Sequence, residues 1–127
     1  MDEAPNRPVI LHIEDNPSNR KVVQHILRSV DVDLLETTDG ESGIALAMAA
    51  LPSLILLDMH LPGASGYEVV EQLKADSCTR DIPVIAITSD AMTADEERAR
   101  AAGCDDYVAK PYRPYQLLEA IRRHVTC

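Results

Sequence analysis

The chain contains no Phe and no Trp, and only 4 Tyr. A core built without them must be filled by Leu, Ile, Val, Ala and Met. Flat cofactors that need aromatic stacking, flavins among them, find little support. Long apolar runs are missing as well. None approaches the roughly 18 residues of a membrane-crossing helix. The N-terminus, MDEAPNRP, is acidic and polar, unlike a signal peptide. A soluble, cytoplasmic protein without a membrane partner is expected. Cys78, Cys104 and Cys127 form no CxxC and no zinc spacing, which predicts free thiols in a reducing compartment. Cys104, after Gly103, reads as a small apolar filler. Positive charge is scarce: 12 Lys and Arg face 21 Asp and Glu, for a net charge of −9. That balance disfavours nucleic acid as a direct partner.

What is present suffices for one domain. The 127 residues are 46% hydrophobic, with no linker, repeat or low-complexity segment. Residues 1–8 read as a tail and 9–125 as the domain. Five short apolar runs stand out: Val9–Ile13, Asp33–Thr37, Leu54–Leu57, Pro83–Thr88 and Asp106–Ala109. Between and after them lie stretches of helical spacing. One carries Val22, Val23, Ile26, Leu27 and Val30, and the next Ile44, Ala47, Met48 and Leu51. Another carries Val69, Val70 and Leu73, and the last Leu117, Leu118, Ile121 and Val125. Ser65–Glu68 and Thr93–Glu96 are candidate capping boxes. Pro17 suits a first helical turn, and Gly103 a helix end. Thr93–Ala102 is mostly alanine and charge, so it has few large apolar anchors.

Strict alternation of strand and helix predicts an α/β, doubly wound (βα)5 fold with helices on both faces of a parallel sheet. The first and third runs are apolar enough for central strands, and DLLET is polar enough for an edge. The strand order 2-1-3-4-5 makes runs one and three neighbours at the switch point. Ligands bind at the carboxyl ends of such strands. The polar residues fall at those ends. Glu14-Asp15 close the first run, Asp58 the third and Thr88-Ser89 the fourth, and Lys110 follows the fifth.

Three carboxylates brought together repel by about 4 kcal/mol per close pair at an effective dielectric near 20. A proton or a cation must offset that. Hard oxygen ligands in a half-solvated cleft suit Mg²⁺. A phosphoryl group would complete the metal's shell, with a carboxylate as nucleophile and Lys and hydroxyl donors on its oxygens.

VILHIEDNPSNR, LILLDMHLPGASGYE, IPVIAITSDAM and CDDYVAKPY resemble the response-regulator receiver domain of two-component phosphorelays. The resemblance covers essentially the whole chain. It is strongest to single-domain regulators and to receivers of hybrid histidine kinases. It implies Asp58 as phospho-acceptor. It implies Mg²⁺ (or Mn²⁺) on Asp15, Asp58 and the His60 backbone carbonyl, with Glu14 reaching the metal through a water. It gives Thr88 and Lys110 the phosphoryl oxygens and Tyr107 a switching role. His60 and Asp90 would tune dephosphorylation. A cis Lys110-Pro111 bond is implied too. The donor would be a histidine kinase or histidine phosphotransfer protein. Signalling would go to a downstream protein, or a second copy, through the face of the fourth helix, fifth strand and fifth helix. The domain would catalyse only its own phosphorylation and dephosphorylation.

An alternative is a Mg²⁺-dependent phosphohydrolase with an aspartyl nucleophile. Haloacid-dehalogenase-like enzymes put that nucleophile on the first strand and need a cap domain, and neither is here. A flavodoxin-like electron carrier is opposed by the acidic loop EDNPSNR. His12, inside a strand, is expected to be hydrogen-bonded or partly exposed, and His25 and His124 to lie on the surface. Tyr112 and Tyr115 read as packing or interface residues. Little sequence follows the last helix to form an output domain. That fits a stand-alone regulator and an excised domain equally.

Overall fold

A computed structural model describes residues 7–61, 63, 65–89 and 93–125. Strands β1 (Val9–Ile13), β2 (Asp33–Thr37), β3 (Leu54–Asp58), β4 (Val84–Thr88) and β5 (Asp106–Ala109) alternate with helices. The helices are α1 (Pro17–Leu27), α2 (Gly40–Ala50), α3 (Gly66–Ala75), α4 (Thr93–Ala102) and α5 (Pro114–Arg122). All strand pairs are parallel, in the order β2-β1-β3-β4-β5. This is the doubly wound fold that the alternation predicts. Polar β2 is an edge, while β3 and β4 are buried along their whole length.

Period-two alternation splits the core in two. Leu11, Ile13, Ile55, Leu57, Val84 and Ala86 pack with α2, α3 and Ala99. Ile10, Leu54, Leu56, Ile85, Ile87 and Val108 pack with α1 and α5. Branched aliphatics fill both layers, as the missing rings require.

Local chemistry fixes the helix starts. Asn16 caps α1 by accepting from the amides of Ser18 and Asn19, and Pro17 occupies the first turn. Asp39 caps α2 through the Ser42 amide. Ser65 and Glu68 form the expected capping box. The Thr93 side chain lies outside the described residues. Gly66 sits where α3 passes β3, and a Cβ there would lie 2.6 Å from the Met59 Cα.

Several expectations need correction. Val22 and Met48 are 48% and 42% exposed, because the apolar stripes are wider than the surface that the sheet covers, and Leu51, 55% exposed, is the C-cap beyond α2. Val30 and Val125 lie beyond their helices. His12 is buried, and its Nδ1 has no hydrogen-bond partner. Burial, with Lys110 and Arg20 nearby, lowers its pKa to about 3, so it is a neutral spacer in the core. His124 is half-buried and bonds the Asp106 carboxylate. Cys104 is a buried free thiol whose pKa burial raises to about 12. No helix among the described residues is long and apolar enough to cross a membrane.

Candidate functional site at the carboxyl edge of the sheet

Neighbouring strands β1 and β3 end together. Register pairs Ile13 with Leu57, so Glu14 and Asp58 emerge side by side. Glu14, Asp15 and Asp58 bring carboxylate oxygens within 4.8 Å of one another. Glu14 and Asp58 are buried, and Asp15 is exposed. An apolar strand can end on a buried acid because only the strand's tip reaches the open edge.

Backbone donors and one arginine hold the cluster. The Asn16 amide donates to Glu14 Oε2 at 3.2 Å, and the His60 amide to Asp58 Oδ1 at 3.0 Å. Arg20 Nη1 donates to the carbonyls of Glu14 and Asp15, both at 3.0 Å. Sequence reasoning missed Arg20. Its position one turn into α1, four residues after the cap, was the available signal. Lys110 Nζ lies 3.3 Å from Glu14 Oε1. Lys110 thus pairs with Glu14.

Burial raises the Glu14 pKa above its ordinary 4.5, and the neighbouring Asp58 charge adds to that. The Asn16 amide and Lys110 oppose the rise without cancelling it. A proton on Glu14 is therefore one way the cluster relieves its repulsion. A hard dication is another. The all-oxygen donor set and the spacing fit Mg²⁺ or Mn²⁺.

Thr88 is fully buried at the end of β4, where its carbonyl accepts the Lys110 amide at 2.7 Å. His60 Nε2 lies 3.2 Å from its hydroxyl. Tyr107 is half-buried against the layer containing Ala86 and Ala99. Alternation puts Thr88 and Tyr107 on that face of the sheet. Glu14, Asp58 and Lys110 continue the opposite face, with His12, Leu56 and Val108. The candidate residues thus straddle the sheet. The Lys110-Pro111 bond is cis. Asp90 lies outside the described residues. A cavity of about 500 Å³ opens behind Glu14 and Lys110, lined also by His12, Val23, Ile87 and Tyr112.

This fold, with these polar residues at its carboxyl edge, defines a signalling receiver module. The model for the response regulator receiver domain matches residues 10–122, and the chain belongs to that family, the receiver module of phosphorelay signalling. The polar-differentiation response regulator DivK of Brucella anthropi is 38% identical over 116 residues, spanning 91% of this chain and 94% of that protein. The receiver domain of sensor histidine kinase PA1611 from Pseudomonas aeruginosa superposes with a TM-score of 0.86 at 33% identity. That match covers 94% of this chain and 98% of the other, whose structure has a magnesium ion coordinated in the active site cleft. The chemotaxis protein CheY4 of Vibrio cholerae shares the fold, with a TM-score of 0.88 at 24% identity, covering 94% of this chain and all of that one.

Proposed function

We propose that the domain accepts a phosphoryl group on Asp58 from a phosphohistidine of a histidine kinase or phosphotransfer protein. An Asp58 oxygen forms a bond to phosphorus while the donor's P–N bond breaks. The imidazole nitrogen leaves with the electron pair and is then protonated. Asp58 Oδ1 is held by the His60 amide, which leaves Oδ2 as the attacking atom. The carboxylates of Glu14, Asp15 and Asp58, with the His60 carbonyl, would hold Mg²⁺ or Mn²⁺. When bound, the ion neutralises the acids and draws charge from the phosphoryl oxygens. Lys110 exchanges Glu14 for one of those oxygens, and the Thr88 hydroxyl turns to another.

Tyr107 then follows into the space beside Thr88. The face of α4, β5 and α5 changes shape and signals to a downstream protein or a second copy. His60 and Asp90 set how long the acyl phosphate lasts. The observation that carries this reading is the buried Asp58 carboxylate within 4.8 Å of two further acids. Nothing favours the phosphohydrolase alternative.

Incubation with Mg²⁺ and acetyl phosphate, followed by intact-mass measurement, tests it. One phosphoryl adduct, absent in Asp58→Asn, is expected. No adduct from a protein that binds Mg²⁺ would mean a receiver that has lost phosphoryl transfer.

A further inference from the structure

His60 touches two parts of the site at once. Its amide donates to Asp58 Oδ1 at 3.0 Å, and its ring Nε2 lies 3.2 Å from Thr88 Oγ1. Thr88 itself has little freedom. It is fully buried, and its carbonyl is bonded to the Lys110 amide. Its hydroxyl can be re-aimed mainly by turning about χ1, which β-branching restricts to a few wells. A hydroxyl has one proton and two lone pairs in fixed directions. Turning it towards a phosphoryl oxygen on Asp58 therefore costs the contact with His60.

We propose that His60 is a positioning residue, a latch that holds the Thr88 hydroxyl in the unphosphorylated arrangement. This rests on the reading of Thr88 as the group that turns to the phosphoryl oxygen. The bond exists in one state and is given up in the other, so it biases the equilibrium between them. The imidazole ring does this through the Thr88 hydroxyl. Loss of one such hydrogen bond shifts a two-state ratio by about fivefold.

The test is a mutant cycle under Mg²⁺ and acetyl phosphate, reading the ratio of phosphorylated to unphosphorylated protein by intact mass. His60→Ala should raise that ratio about fivefold. His60→Gln, whose terminal amide can reach the hydroxyl, should return most of the parental value. Thr88→Ala lowers phosphorylation in its own right. In that background, His60→Ala should have no further effect. Thr88→Val, which keeps the side chain's shape, repeats the comparison in case the alanine variant folds poorly. An unchanged ratio in His60→Ala overturns the latch, and so does a His60→Ala effect that persists without the hydroxyl. The second outcome would put His60 on the attacking water instead. Failure of the parent reading looks different: no adduct in the parent protein, or one that survives Asp58→Asn.

Discussion

Each edge of the sheet holds a buried acid, and the surroundings push the two in opposite directions. At the amino edge, Asp106 begins β5. Its Oδ2 meets Arg123 Nε at 2.9 Å and His124 Nε2 at 3.1 Å, and its Oδ1 accepts the Tyr107 amide. Burial alone would raise its pKa, but these donors outweigh burial and lower it below 3.8. At the carboxyl edge, Glu14 is buried more deeply, beside two other acids and one lysine, and its pKa goes up. The amino edge is a completed network. A second cluster lies at the same edge, where Lys74 donates to the carbonyls of Arg80 and Ile82 and to Asp105. The carboxyl edge is left short of positive charge, which suits the cation and phosphoryl group proposed for it. One edge satisfies its buried acid, and the other leaves its acids in mutual repulsion.

Asp106→Ala breaks the comparison most severely. It removes the acceptor shared by the Tyr107 amide, His124 and a largely exposed Arg123, and should cost about 2 kcal/mol, read from urea unfolding. Gly66→Ala should cost about 2 kcal/mol, because the new Cβ meets the Met59 backbone at 2.6 Å and the Asp58 carbonyl at 2.9 Å. It should also weaken Mg²⁺ binding, since it displaces the strand end that carries Asp58. Glu14→Gln has the opposite sign. Without metal it should stabilise by about 1 kcal/mol, and the stabilisation that Mg²⁺ gives the parent should shrink.

The pH response sharpens the contrast. Folded Glu14 holds its proton above the ordinary 4.5, so its contribution is full below that pH and is lost as pH rises through the folded value. Folded Asp106 releases its proton more readily, so its contribution is full above 3.8 and is lost as pH falls through the folded value. Unfolding in urea and EDTA across pH should show Glu14→Gln removing a decline on the alkaline side of 4.5. Asp106→Asn should remove a loss on the acid side of 3.8. The smallest effect lies at the C-cap of α2, where Leu51 has φ 48° and is mostly exposed. Leu51→Gly should relieve the left-handed strain and gain about 0.5 kcal/mol net of glycine's entropy, read as a raised Tm.

The sequence carried the architecture because period-two and period-3.6 patterns are separated by clear turns. It also indicated which residues end each strand, since parallel topology sends every carboxyl end to one edge. It could not show where long side chains reach. Lys110 has four rotatable carbons and pairs with Glu14, a choice that only the packed cleft decides. The contact between His60 and Thr88 joins residues 28 apart and depends on a loop rotamer. His12 was read by its residue type, which favours a partner. The surrounding aliphatics hold it neutral instead. The exposure of Val22 and Met48 was hidden for another reason. Helical spacing reveals a stripe but not how far the sheet extends beneath it.

The register has one more consequence. Asp58 pairs with Ile87, which puts Thr88 one step further along β4. Strands β1, β3 and β4 thus act as rulers of fixed length, each marked at its end by a residue of the site. Removing a single residue from Val84–Thr88 would move every later side chain one position and turn the hydroxyl to the other side of the sheet. Strand length, more than the identity of the apolar residues, sets where these side chains meet. Length changes should therefore be tolerated best in the connections at the amino edge, farthest from the candidate site.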